Sequence, residues 1–303
     1  MTDLRQPFLE AVRADGLWEP GHRVALAVSG GADSMVLLDL AVGTAALHGA
    51  VLSVVTVDHG QHAHSASFAE AVVREADQRG LPTTRVRAEL GPDASEAEAR
   101  AARYAVFESL DVDRVALAHH QRDQAETVLV NLLRGTGPRG LRGMQSRRER
   151  FVRPMLGMDH HAVRSYATER GLPVLDDPSN ATARYLRNRI RLQLLPLLEE
   201  IRPGATGALA RSATRAGEDE ALLQALADGL PLEPSALAAA PAPLARRRLQ
   251  AALGPVTTAQ LDAVLRAARA GGGRVELSRD TAVVVSATDV LMVGGADPTT
   301  GPR

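Results

Sequence analysis

Short apolar runs rich in valine recur through the first part of the chain, at Arg23–Val28, Val51–Val57, Thr83–Ala88 and Arg114–Ala118. Runs of this length, apolar without strict alternation, are the pattern of strands buried on both faces of a parallel sheet. Between them, apolar positions recur at helical spacing over Asp33–Leu47, Ser65–Arg79 and Ser95–Leu110, and a further helix is expected from about Asp123 to Arg134. Strand and helix alternating in this way require right-handed crossovers, which predicts a doubly wound, mostly parallel sheet. In such sheets ligands bind outside the carboxyl ends of the strands.

After Pro154 the pattern turns helical, with helices expected over Asp159–Arg170 and Arg184–Glu200. The stretch DGLPLEPSALAAAPAPLARRR is punctuated by proline and reads as a linker or irregular connection. Helical stretches follow at Leu244–Leu253 and Thr257–Ala270, then Gly271–Gly273, then β-prone segments at Arg274–Ser278, Ala282–Ser286 and Val290–Val293. The expected fold class is α/β: a doubly wound, mostly parallel sheet with a helical extension over residues 1–204, and a small C-terminal α+β domain over residues 205–303.

Composition narrows the chemistry. A hydrophobic content of 45% supports a real core, and no apolar run approaches the length of a membrane span. The opening MTDLRQPFLEAVRADG reads as an amphipathic helix with neither a basic n-region nor an apolar h-region, so a cytoplasmic protein with no membrane partner is expected. There is no cysteine, which excludes disulfides, thiolate zinc sites, iron–sulfur clusters and persulfide carriers within the chain. All 35 basic residues are arginine, a bias that, with the heavy use of alanine, reads as codon usage. Net charge is −1, but its distribution is uneven. Arg134 to Arg153 holds seven arginines against Glu149 alone, and Arg184 to Arg191 holds four with no acid. Clusters of that density suit phosphate.

The candidate chemistry begins where the first strand meets the first helix of the alternation, in VALAVSGGADSMVLLDL. Ser29 ends the strand, Gly30 and Gly31 allow close backbone approach, and Ala32, Asp33 and Ser34 open the helix. Successive amides and a helix N-terminus make an anion cradle. SGG alone would be an ordinary capped turn; strand, SGGxDS and helix together point to a nucleotide phosphate. One helix end contributes only about 0.3–1 kcal/mol toward a nearby charge, so a polyphosphate needs several amides and a cation. Asp33 offers the hard carboxylate oxygen that Mg²⁺ prefers. By contrast, Gly135-Thr-Gly137-Pro-Arg-Gly140 matches GxGxxG but follows a helix rather than a strand, so the dinucleotide reading lacks its context. His59, His62 and His64 crowd the loop after the second strand, where three histidines without a helix-borne carboxylate read as solvated rather than as a zinc site.

Three further segments carry charge at meaningful spacing. Glu96, Arg100 and Arg103 fall at helical intervals; Arg100 either pairs with Glu96 or faces phosphates as transition-state charge develops. Asp123 and Glu126 share a face of one helical turn, and either favour the helix dipole or hold a cationic amine. Arg184, Arg187 and Arg191 recur at i, i+3 and i+7, a face suited to RNA phosphates, with Tyr185 available to stack or to pack.

The SGGADS turn resembles the PP-loop of the N-type ATP pyrophosphatases. Taken in order, SGGADS, VDHG, EAEARAARY with HHQRDQAET and LRGTGPRGLRGM, and DDPSN followed by YLRNRIR resemble the tRNA(Ile)-lysidine synthetase family over about residues 22–200. The resemblance implies that ATP adenylates the C2 oxygen of the wobble cytidine in the isoleucine tRNA with a CAU anticodon, and that free L-lysine then displaces AMP to leave lysidine. Carried over by position, it implies that Ser29, Gly30, Gly31, Ala32, Asp33 and Ser34 hold ATP and that Asp33 binds Mg²⁺. It further implies that Asp58 and His59 meet adenosine, Arg100 supports the phosphates, and Asp123 and Glu126 address the lysine amine. Arg184, Arg187 and Arg191 would face tRNA(Ile). One departure stands out: the chain has Arg122-Asp123-Gln124 where the family usually has Asp-Asp-Gln. Arg122 either weakens amine binding or points to solvent. Relatives that thiolate tRNA depend on cysteines, so the absence of cysteine favours an amine nucleophile. The alternatives are a PP-loop ligase that amidates a small molecule and a catalytically weakened tRNA-binding relative. Oligomeric state is not legible, a homodimer being one arrangement.

Overall fold

The computed structural model describes residues 3–58, 65–88, 96–175 and 186–294. Among them the chain runs α1 (Arg5–Ala14), β1 (Arg23–Ala27), α2 (Ala32–Gly43), α3 (Ala45–His48), β2 (Val51–Asp58), α4 (Ser65–Gln78), β3 (Thr83–Arg87), α5 (Glu96–Ser109), β4 (Arg114–Ala116) and α6 (Gln121–Leu133). It continues through α7 (Pro138–Leu141), β5 (Arg147–Arg148), β6 (Phe151–Val152), α8 (His160–Glu169), α9 (Leu186–Arg189), a π-helical turn at Ile190–Leu194, α10 (Leu195–Ile201) and α11 (Ala205–Asp228). Then follow α12 (Pro234–Ala239), α13 (Ala242–Leu253), α14 (Thr258–Arg269), β7 (Gly273–Glu276), β8 (Ala282–Val285) and β9 (Val290–Val293). The chain divides into two compact units, residues 1–217 and 218–303.

In the first unit a six-stranded sheet has the order β3-β2-β1-β4-β6-β5. All neighbours are parallel except the short antiparallel edge pair β5–β6. Alternate residues of each strand feed different cores, as the period of 2 requires. Val24, Leu26, Leu52, Val54, Ala116 and Val152 pack with Phe8, Met35, Val72, Val163 and Tyr166. Their neighbours Ala25, Val55, Val115, Leu117 and Phe151 pack with Phe107 of α5. The sheet is therefore doubly wound, with both faces covered. Strand order reverses between β1 and β4, so their carboxyl ends open the crevice in which such sheets bind ligands.

Four local features differ from the sequence expectation. The helix expected over Asp33–Leu47 breaks at Thr44, whose Oγ1 donates to the Leu40 carbonyl at 2.6 Å. The Arg184–Glu200 helix, described from Leu186 onward, widens to a π turn just before Pro196, whose ring and missing N–H disrupt the regular ladder. The proline-rich stretch is not irregular: Pro234 and Pro243 lie in the first turns of α12 and α13, where proline costs no helix hydrogen bond. The β5–β6 hairpin lies inside the basic run, turning through Glu149 at φ 56°. That run is partly structural: Arg147 donates to the Gly16 carbonyl, Arg153 to Gln145, and Arg150 to Glu108, Leu110 and Val112.

The second unit packs α12–α14 on the antiparallel sheet β7-β8-β9. Its core joins Leu237, Leu249, Leu261, Val264 and Leu265 to Val283 and Val285. Among the described residues no helix is long and apolar enough to cross a membrane.

Candidate active site

The crevice is built from two strand-to-helix turns. At the first, Gly30 adopts φ +89° and its carbonyl accepts from the Leu175 amide at 3.0 Å. A Cβ at Gly30 would lie 3.1 Å from Leu175 Cδ1, so position 30 is closed to side chains both by conformation and by space. Gly31 caps α2, and its carbonyl accepts from the Ser34 hydroxyl at 2.8 Å. The Ser29 amide donates to Ser34 Oγ at 3.2 Å. Ser34 thus locks the turn from within. No side chain caps the first turn of α2, and the positive end of that helix faces the crevice. Asp33 stands in that turn with its Oδ1 buried and without a hydrogen-bond partner.

At the second turn, His120 ends the loop after β4 and caps α6. Its Nδ1 accepts from the Arg122 amide at 3.2 Å, and Asp123 Oδ2 accepts from the His120 amide at 3.0 Å, completing a capping box. His120 Nε2 lies 3.4 Å from Asp33 Oδ2, which ties the two turns together. His160, the first residue of α8, places Nδ1 3.3 Å from the same His120 Nε2.

Glu126 sits one turn deeper in α6 with no exposed surface. Arg191 Nε donates to its Oε1 at 2.6 Å, and Arg187 Nε donates to its Oε2 at 2.8 Å. Both arginines also reach Asp123 Oδ1, each at 3.2 Å. Two of the three arginines expected to face RNA, Arg187 and Arg191, therefore turn inward onto the two carboxylates expected to meet an amine. The reason is electrostatic: two buried carboxylates three residues apart need counter-charges, and the adjoining basic helix supplies them.

Electrostatics follow from this packing. Burial opposes the Asp123 charge, but His120, His119, Arg187 and the His120 amide outweigh it and hold its carboxyl at about 2. Burial drives the His119 imidazole down to about 3 against the pull of Asp123. Burial, with His120 and Arg122 nearby, lowers His160 to about 4, so its ring is neutral near pH 7. Burial also works against His120, yet the Asp33 and Asp123 carboxylates raise it above its ordinary value.

Arg122 does not point to solvent. Its Nη2 donates to the Arg191 carbonyl at 2.8 Å, and its Nη1 lies 3.3 Å from His160 Nε2. Arg100 is exposed on α5; its Nη2 donates to Tyr104 Oη at 3.1 Å, and its guanidinium stands 4.7 Å from that ring's centre. Asp58 ends β2, buried, with Arg85 at 3.4 Å. His59 and Arg184 lie outside the described residues, as do His62, His64 and Tyr185. The Gly135–Gly140 segment forms the turn after α6 and the start of the short α7, so it follows a helix and not a strand. His119, His120 and His160 are the site residues that sequence reasoning passed over. The strand-end position of His119-His120 was a usable signal; nothing local marks His160, forty positions along.

Comparison with known proteins fits this geometry. Residues 3–198 match the family model described as a PP-loop domain. The tRNA(Ile)-lysidine synthase of Nocardia farcinica is 40% identical over 240 residues, covering 75% of this chain and 74% of that protein. That of Leifsonia xyli is 40% identical over 218 residues, covering 69% and 65%, and that of Azoarcus 37% over 278 residues, covering 89% and 58%. The chain thus spans somewhat less than two thirds of the length of the last two. Among solved structures, the U34-tRNA thiolase NcsA from Methanococcus maripaludis superposes with a TM-score of 0.58 at 18% identity over 71% of this chain and 78% of that one, which speaks to the fold. With the SGGADS turn at the β1/β4 switch point and these matches over most of its length, the chain belongs to the PP-loop family, in its tRNA(Ile)-lysidine synthase branch.

Proposed function

We propose that this chain catalyses ATP-dependent ligation of free L-lysine to C2 of the wobble cytidine in tRNA(Ile) with a CAU anticodon. The observation that carries the reading is the adjacency of two unlike binding features at one crevice. An anion cradle ends β1, and a buried carboxylate pair, Asp123 and Glu126, follows β4. The first suits a polyphosphate and the second a cationic amine.

In this reading the amides around Gly30, Gly31 and Ala32 hold the ATP phosphates, and Asp33, whose Oδ1 lacks a partner, holds the accompanying Mg²⁺. Mg²⁺ supplies charge neutralisation on the phosphate oxygens. The C2 oxygen of cytidine attacks the α-phosphorus and pyrophosphate leaves. The lysine amine then attacks C2 and AMP leaves with the oxygen. The amine reaches Asp123 and Glu126 by competing with Arg187 and Arg191 for their oxygens. Arg100, exposed on α5, is the cation assigned to supporting the phosphates.

The test mixes the protein with ATP, Mg²⁺, labelled L-lysine and a tRNA(Ile) transcript bearing CAU, with a methionine tRNA transcript of the same anticodon as control. Label in the isoleucine tRNA alone supports the reading. AMP release without label implicates another amine, and neither product overturns the reading.

A further inference from the structure

We propose that Asp33, His120 and His160 form a three-ligand site for a divalent transition-metal ion, of the Mn²⁺, Co²⁺ or Zn²⁺ class, between the two strand ends. The three side chains come from separate elements: the first turn of α2, the cap of α6 and the start of α8. One ligand atom from each lies within 4.8 Å of the others. His120 Nε2 is 3.4 Å from Asp33 Oδ2 and 3.3 Å from His160 Nδ1. A tetrahedral ion with bonds of about 2.0–2.1 Å places its ligands about 3.3–3.4 Å apart, so two edges of that figure already exist.

Two further observations point the same way. Asp33 Oδ1 is buried with no partner, which leaves a carboxylate oxygen unsatisfied at the cluster. His120 Nδ1 lies 3.5 Å from Asp123 Oδ2, the carboxylate–imidazole arrangement that orients metal-bound histidines. Ligation through Nε2 moves the His120 proton to Nδ1, exchanging the Arg122 amide contact for that carboxylate. Three protein ligands leave a coordination position open, as in catalytic rather than structural sites. An entry path exists, because Arg122 and His160 also line an open cleft continuing past Glu199, Arg202 and Arg211.

The donor set decides the ion. Two imidazole nitrogens and one carboxylate favour borderline metals over Mg²⁺, which prefers an all-oxygen octahedral shell. Arg122, with Nη1 3.3 Å from His160 Nε2, is the cation that opposes metal entry. This site shares Asp33 with the Mg²⁺ of the ligase reading, so metal binding is measured in the absence of ATP and RNA.

The experiment titrates Co²⁺ into the full, metal-stripped chain and follows its visible absorption, with calorimetry for stoichiometry and circular dichroism to confirm folding. One ion per chain is expected, displaced by Zn²⁺ and not by excess Mg²⁺. His160→Ala, which removes an outer ligand from the start of a helix, should abolish the spectrum while leaving the fold intact. Asp123→Asn should weaken binding by about tenfold, and Arg122→Gln should tighten it. A double His62→Ala/His64→Ala variant should bind as the parent does. An unchanged spectrum in His160→Ala, loss of binding in the loop variant, or displacement by excess Mg²⁺ would each overturn the proposal. None of these outcomes bears on lysine ligation, which is read from labelled tRNA.

Discussion

Arg191 closes over Glu126: its Nε donates to Oε1 at 2.6 Å and its Nη2 to Oε2 at 3.0 Å, while the carboxylate has no exposed surface. Arg187 Nε adds the carboxylate's third bond, its second at Oε2, at 2.8 Å. Every oxygen of this acid is thus satisfied by charge-assisted hydrogen bonds, the condition under which a buried ion pair is tolerated.

Removing the acid leaves Arg187 and Arg191 sharing the Asp123 carboxylate alone, through bonds of 3.2 Å. Glu126→Ala is expected to destabilise the first unit by about 3–5 kcal/mol. Arg191→Ala should cost less, because Arg187 remains on Oε2. Urea midpoints of the two variants measure the order; equal midpoints would mean that Arg187 contributes nothing.

Gly30 makes a second prediction. Its φ is +89°, and a methyl group added there would sit 3.1 Å from Leu175 Cδ1. Gly30→Ala should therefore cost about 1–3 kcal/mol and weaken ATP binding by distorting the cradle. Gly157, where an added methyl meets nothing within 4 Å, is the control. Thermal midpoints and nucleotide titration separate backbone strain from general damage.

Acid sensitivity should trace in part to Asp39, a buried acid of α2. Its carboxylate accepts from Arg79 at 2.9 Å and from the Tyr166 hydroxyl at 2.8 Å, with Arg170 at 3.4 Å. Burial opposes its charge, yet Arg79, Tyr166 and Arg170 together lower its pKa below 3.8. A carboxyl depressed on folding stabilises the protein above its unfolded pKa and loses that contribution as pH falls through the folded one. Stability should therefore decline below about pH 4, and Asp39→Asn should be less stable near pH 7 with a shallower acid slope. Urea midpoints measured across that range test this; parallel pH profiles would rule it out.

RNA binding gives a fourth prediction. If phosphate contacts dominate, affinity for tRNA should fall by orders of magnitude between ~50 and ~200 mM salt. The charges of Arg187 and Arg191 are committed to Asp123 and Glu126, so Arg187→Gln should leave the salt slope unchanged. Exposed Arg148 is a better candidate to lower it, because its nearest acid, Glu149 at 3.8 Å, is itself exposed. Filter binding across a salt series distinguishes the two.

What was legible in the sequence is what depends on neighbours along the chain. Valine-rich runs and helical periodicity placed β1 to β4 and the intervening helices, because burial on both faces of a parallel sheet leaves an apolar signature in each strand. The SGGADS turn was equally visible, since its glycine conformation and helix start are local. The short β5–β6 hairpin was not, because two-residue strands inside an arginine run carry no period. Prolines that open α12 and α13 looked like breakers, since only the helix that follows shows them to be first-turn residues.

The sequence by itself determined the doubly wound architecture, the phosphate-type turn and the presence of two carboxylates on one face of α6. Only the tertiary structure decided what those carboxylates face. A basic face at i, i+3 and i+7 reads the same whether it meets RNA or protein, and the inward choice of Arg187 and Arg191 follows from burying Asp123 and Glu126, whose charges demand partners. The meeting of Asp33, His120 and His160 likewise depends on strand order, which brings the ends of β1 and β4 side by side and lays the start of α8 against them.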